Sequence, residues 1–263
     1  TTSSLAMARR NYHSVSVSPD GAHTAFRVPL QGERDGELWI YDSERRTEKR
    51  LAKGIGLSTA VWTPDSKEVI YSRVNPVRFL RHKVDGTEAP ELVAQFERYT
   101  APTSCSPDGQ LLLATRNDAN RPMFDADIWT VPLDEDPTAT PRPLIERLNN
   151  QKHGVWSPDG RWIAYGSDES GGREVYVEPY PGPGPKTKIS TNGGLQPVWS
   201  RDGKELYYRS AEKMMVAATI ETEPQLRVTG HRDLFEWKYL SCIICQTYDV
   251  APDGRFLMVK DPK

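Results

Sequence analysis

The sequence predicts an all-β fold: a six-bladed β-propeller with four-stranded antiparallel blades. Three observations predict it. A short apolar strand, a Ser-Pro-Asp-Gly-type turn and a second apolar strand recur six times along the 263 residues. The period lies in the forties, which is room for four short strands per unit. No segment of useful length carries a helical period. One such hairpin alone is marginal in water. A small twisted sheet buries both faces only when like sheets stack against it.

The clearest copy is His153–Asp168, HGVWSPDGRWIAYGSD. Pro158 presets φ for its turn, Asp159 can bond its own backbone and Gly160 accepts positive φ. In chain order the units are anchored at Asp20, Asp65, Asp108, Asp159, Asp202 and Asp253, with separations of 45, 43, 51, 43 and 51 by subtraction. The first has Ser14–Val17, the turn, Thr24–Val28 and Leu38–Tyr41. The second has Ala60–Trp62 and Glu68–Ser72 around Thr63-Pro64-Asp65-Ser66. The third has Ser104-Cys105 and Leu111–Thr115, with Cys105 where other units carry Trp62, Trp156 and Trp199, and so a core position. The fifth has Pro197–Trp199 and Glu205–Arg209, and the sixth Tyr248–Val250 and Phe256–Val259. Extra length falls in loops, at 116–127, 134–142 and 236–246. The Pro-rich run 179–185 reads as a rigid turn between outer strands, so residues 1–263 form one propeller domain.

Ring closure is the irregular place. The sixth unit supplies two strands before the sequence stops, so its remaining strand must come from the N-terminus. The expected closing blade has Leu5–Arg9 outside and 246–250 and 255–260 inside. A missing strand leaves an edge, and edges invite pairing, so a homodimer through this blade is an expectation. Ser66, Arg201 and Ala251 depart from the turn pattern, and the turns holding them should be slightly weaker.

Composition narrows the function classes. Lys+Arg 34 against Asp+Glu 36 gives a net charge of −2, no basis for a nucleic-acid surface. No apolar run approaches a membrane span, and no signal peptide is visible. The first residue is Thr1, and the chain is expected to be a processed or excised piece. Three cysteines are too few for a disulfide framework, and the odd count is mildly unfavourable for an oxidising compartment. Cys242 and Cys245 form a lone C-x-x-C. On an extended segment they would point to opposite faces, weak evidence for zinc or redox work.

At these residues the chain resembles the TolB-type six-bladed propellers over essentially residues 11–260. The stretches 156–182, WSPDGRWIAYGSDESGGREVYVEPYPG, and 198–215, VWSRDGKELYYRSAEKMM, are similar to the propeller found C-terminal to some bacterial serine/threonine protein kinases. The kinase itself is absent, without a Gly-rich loop, HRD or DFG. The resemblance implies a bacterial sensor or docking module. The compartment, cytoplasmic or periplasmic, would follow from the parent chain.

In such a fold the start of each inner strand lies near one channel mouth. Six residues before each anchor stand Ser14, Thr59, Pro102, His153, Gln196 and Thr247. With the loops between second and third strands they make the expected ligand site. The loop holding Asp118, Arg121, Asp125 and Asp127 is the next candidate for partner contact. His13 and His153 could ligate a metal or act as bases, but the ring offers no carboxylate, and two polar residues at a wet pore explain them more simply. His23, His82 and His231 are expected to be solvated. Asp249 stands where other units carry Ser16, Val61, Ser104, Val155 and Val198. A buried carboxylate needs partners, and locking the closing blade to backbone is its favoured role over that of a site acid. The anchor aspartates, repeated six times, do turn chemistry.

Two function classes follow. One is a binding module that docks a small molecule at the channel mouth or a protein partner and needs no cofactor. The other is a metal-dependent hydrolase of esters, lactones or phosphotriesters, with a divalent metal on His13 and His153 activating water. No G-x-S-x-G elbow, P-loop or H-E-x-x-H is present.

Overall fold

The computed structural model describes residues 10–30, 35–117, 126–133, 140–242 and 245–260. All regular structure in it is strand. The first sheet holds β1 (Ser14–Val17), β2 (His23–Pro29), β3 (Asp35–Asp42) and β4 (Thr47–Ile55), and the second β5 (Val61–Trp62), β6 (Glu68–Arg73), β7 (Val77–Lys83) and β8 (Glu91–Phe96). The third holds β9 (Thr100–Cys105), β10 (Leu111–Asn117), β11 (Ala126–Pro132) and β12 (Arg142–Ile145). The fourth holds β13 (Gln151–Trp156), β14 (Trp162–Ser167), β15 (Glu174–Pro179) and β16 (Thr187–Lys188). The fifth holds β17 (Leu195–Trp199), β18 (Glu205–Arg209), β19 (Met214–Glu221) and β20 (Arg227–Glu236). The last, β21 (Tyr248–Val250) with β22 (Phe256–Met258), has two strands among the described residues. Every sheet is an antiparallel meander in sequence order, the blade pattern of a propeller.

The chain divides into two compact units, 1–95 with 239–263, and 96–238. In the first, the sheet of β1–β4 is covered on both faces. Leu38, Ile40 and Ala25 meet Trp62, Val69 and Tyr71 of the second sheet. Val15, Phe26, Val28 and Tyr41 meet Val259 of the last. In the second unit Trp156, Ile163 and Tyr165 close on Leu113 and Ile128, and Trp199, Leu206 and Tyr208 close on Ala164, Val175 and Val177. Alternate residues of each strand serve opposite neighbours, as the pleat requires.

The anchor turns explain the repeat. In five of them a hydroxyl donates to the anchor carboxylate: Ser18 to Asp20, Ser106 to Asp108 and Ser157 to Asp159 at 2.5 Å, Thr63 to Asp65 and Ser200 to Asp202 at 2.7 Å. The same oxygen accepts the amide that opens the next strand, as Leu111 N to Ser106 Oγ at 2.9 Å. Each anchor carboxylate also takes the amide two residues on, as Gln110 N to Asp108 Oδ1 at 3.0 Å. These donors hold the carboxyls of Asp65, Asp108 and Asp202 below their ordinary range, hydroxyl first. For Asp20 and Asp159 burial pulls the other way, but the donors prevail. The turn at Asp253 lacks the hydroxyl because Ala251 replaces serine. Its carboxylate is served instead by the Arg255 amide at 3.1 Å and Nε at 2.6 Å.

Ser66 takes φ +63° where other turns use glycine, and its hydroxyl accepts the Asp20 amide of the preceding sheet at 3.1 Å. The substitution thus exchanges backbone comfort for a bond between blades. Asp249 has the expected locking role: its carboxylate accepts Val17 N and its own neighbour Val250 N, each at 2.8 Å.

Several expectations need correction. Leu5–Arg9 lie outside the described residues. Within them, Tyr239 bridges Lys260 and Leu240 N donates to Val259 O at 2.9 Å, so residues just before β21 run beside the end of the last sheet. Cys242 and Cys245 do not point apart; they are joined as a disulfide, Cα–Cα 5.4 Å. Neither cysteine lies in a strand, and only a strand would send the two sulfurs to opposite faces. His82 is not solvated but buried beside Tyr71, and burial holds its imidazole below the ordinary range. Cys105 is half-buried rather than a core residue.

Candidate functional site

In the second unit the inner strands share one irregularity. Register slips between Leu113 and Ala114 opposite β9, between Lys152 and Val155, and between Leu195 and Val198. These bulges fall at equivalent places, five to six residues before each anchor. At two of them a residue other than glycine is left-handed: His153 at φ +55° and Gln196 at φ +54°. Adjacent bulges are tied together, since Thr103 Oγ1 donates to Gly154 O at 2.7 Å. Bulges of this kind re-aim side chains.

Around them lies a buried polar group. Gln196 is 1% exposed and its Oε1 accepts from Arg209 Nη1 at 2.9 Å. The Arg209 guanidinium stacks on Trp237 at 4.4 Å. Gln151, at the start of β13, is wholly buried, and neither atom of its amide has a hydrogen-bond partner among the described residues. His153 is half-buried. The sequence pointed to His153 and Gln196. It missed Gln151, Arg209 and Trp237, although Arg209 could have been found as the cation that directly follows the run Leu206–Tyr208 in β18.

In the first unit Val15 N donates to Gln246 O at 3.1 Å, which sets the start of β1 beside the start of β21. This brings Ser14 and Thr247 onto neighbouring strands. Both are buried, and neither hydroxyl has a partner among the described residues. Thr59 is half-buried just before β5, its carbonyl accepting from Ser58 Oγ at 2.8 Å. Asp118 and Arg121 lie outside the described residues. His13 is half-buried. Its Nδ1 lies 3.1 Å from Arg27 Nη1 and 3.2 Å from Cys245 Sγ. His13, Cys242 and Cys245 bring their ligand-type atoms within 4.8 Å of one another.

A third cluster is structural. Arg147 donates to the Tyr165 hydroxyl at 3.0 Å and pairs with Glu178 at 2.7 Å and Glu169 at 3.4 Å, with Lys186 also on Glu169. Burial, reinforced by Glu178, pushes the Tyr165 phenol up. Every charge there is matched.

No family model and no curated protein matches the chain. Solved structures do. TolB from Acinetobacter baumannii superposes with a TM-score of 0.70 at 18% identity, over 90% of this chain and 57% of that one. The fold is that of the TolB-type propellers. A structure assigned as TolB from Agrobacterium tumefaciens gives 0.69 at 14% identity, over 94% and 88% of the two chains. An oligogalacturonate lyase solved with manganese gives 0.62 at 17%, over 93% and 69%. The chain therefore spans little more than half of the Acinetobacter protein. No helix among its described residues is long and apolar enough to cross a membrane.

Proposed function

We propose that this chain is a binding propeller, a rigid sensor or docking module of a larger bacterial chain, whose recognition surface includes the bulged strands carrying His153 and Gln196. The observation that carries the reading is the repeated left-handed backbone at those two residues. Such conformations cost on the order of 1–3 kcal/mol each and persist only where the surroundings impose them, most often at sites. The half-buried His153 imidazole suits a partner segment bearing carboxylates or amides, while Gln196 and Arg209 are buried and pair with each other. Ser14, Thr59 and Thr247 are separate candidates in the first unit, and Asp118 and Arg121 lie outside the described residues.

A displayed peptide library selected on the wild-type chain tests this, with affinities then measured on His153→Gly and Gln196→Gly. Glycine accepts the positive φ, so His153→Gly should keep its melting point, whereas Gln196→Gly also removes the buried acceptor of Arg209 and should melt lower. Selected peptides should lose affinity about tenfold, the worth of one good contact. Peptides that bind both variants as they bind wild type would end the proposal.

The second reading, a metal-dependent hydrolase, draws on the likeness to the manganese-bound lyase. It would need a divalent cation on His13 and His153. Arg27 weighs against it, because a guanidinium on His13 Nδ1 occupies a ligand lone pair and repels a cation. Stoichiometric metal after purification, with chelator-sensitive turnover of activated esters, would restore it.

A further inference from the structure

The cysteine pair lies in a setting that the docking reading does not use. The register of β1 on β2 places His13 next to Arg27, fixed by His13 N to Arg27 O at 2.9 Å. Val15 N on Gln246 O then holds the end of the C-x-x-C segment against the same spot. Arg27 can only donate, so His13 Nδ1 is the acceptor and the neutral ring carries its proton on Nε2. That protonated nitrogen lies 3.7 Å from Cys245 Sγ, and Nδ1 lies 3.2 Å from it. The Cys245 amide in turn donates to Cys242 Sγ at 3.1 Å. The two sulfurs differ in access: Cys245 is 7% exposed, whereas Cys242 is half-buried.

We propose that Cys242, Cys245, His13 and Arg27 form a thiol–disulfide exchange site, with Cys242 the attacked sulfur, Cys245 the leaving and resolving sulfur, and a small or protein-borne thiol as substrate. The thiolate of the substrate attacks Cys242 Sγ and forms a new S–S bond. The Cys242–Cys245 bond breaks, and its electron pair leaves on Cys245. A leaving thiolate departs faster when it is stabilised, and here it emerges 3.7 Å from the Nε2–H of His13. The amide on Cys242 Sγ stabilises that sulfur in the same way when a second substrate thiolate displaces it. In sum two substrate thiols become one disulfide, and the protein disulfide takes up two electrons and two protons. In reverse, a small disulfide such as oxidised glutathione is the oxidant. The Cys242 thiolate attacks it and releases one glutathione thiolate; the Cys245 thiol gives its proton to solvent, and its thiolate resolves the mixed disulfide on Cys242, releasing the second. A merely structural bridge needs no such neighbours and has no reason for one accessible sulfur.

The test uses the folded chain in glutathione buffers of graded ratio, read by alkylation and intact mass. Wild type should interconvert between disulfide and dithiol while near-ultraviolet circular dichroism stays native. Cys245→Ser should carry one glutathione on Cys242, and Cys242→Ser should stay unmodified on its buried thiol. His13→Gln should slow reduction about tenfold or more, and His13→Asn serves if the first variant folds poorly. A bridge that reduced glutathione opens only after denaturation would overturn the proposal. So would equal modification of the two single-cysteine variants, or cysteines isolated as thiolates around a tightly held zinc ion that shields them from alkylation.

Discussion

Replacing Asp249 should unlock the seam between the last sheet and the first. Its carboxylate accepts two backbone amides, Val17 N from β1 and Val250 N from β21, both at 2.8 Å. A hydrogen bond to a charged acceptor contributes about 1.5–3 kcal/mol. Asp249 is half-buried, so part of that is recovered by water in the variant. Asp249→Ala is therefore expected to cost about 2–4 kcal/mol. Unfolding entropy near 60 °C is about 2.1 cal/mol/K per residue, which for 263 residues is about 0.55 kcal/mol/K. The melting point should fall by about 4–7 °C. Asn keeps one acceptor oxygen but turns a donor toward the other amide, so Asp249→Asn should fall between alanine and wild type. Calorimetry gives the shifts, and hydrogen exchange at the Val17 amide should quicken in both variants. If Asp249→Ala melts within about 1 °C of wild type, or Val17 keeps its protection, the carboxylate is not what joins the two sheets.

Other expectations follow from the turns and from titration. Ala251→Ser should supply the hydroxyl that five anchor turns have and the sixth lacks, stabilising by about 1 kcal/mol in urea unfolding; no gain would mean that Arg255 already saturates Asp253. Ser66→Ala keeps the left-handed backbone but loses the bond from Asp20 N, and should cost about 1 kcal/mol. The anchor carboxyls titrate below their ordinary range in the fold. Their stabilisation is complete above the unfolded value of about 4 and is lost as pH falls through the lower folded values. The urea midpoint should therefore drop steeply below about pH 4 and hold level from there up to about pH 6 apart from histidine. His82 adds its own step. Burial lowers its folded value, so its contribution is full above the unfolded value of about 6.5 and shrinks as pH falls through it. His82→Phe should remove that step, and a pH profile unchanged by the variant would contradict the burial assigned to His82.

How much was legible follows from the range of each interaction. The anchor turn is local: Ser106 reaches Asp108 two residues away and Leu111 five away. Residue type and spacing therefore sufficed to count the blades, and Asp249 stood out as a carboxylate where every other copy is small or apolar. What failed was set by stacking. Ser66 read as a weak turn residue, because its partner Asp20 lies 46 residues back in another sheet. His82 read as solvated, but it is buried, with its ring beside Tyr71 of the neighbouring strand. The cysteines read as diverging, because the segment before β21 was given the regularity of a strand. Outside a strand the same spacing lets the sulfurs bond, and the neighbour that gives them chemical interest, His13, is 232 residues away. Spacing along a chain speaks for backbone within one hairpin. Pairs made across sheets answer to blade order instead, so His13 with Cys245 becomes visible only when the segments that carry them are set side by side.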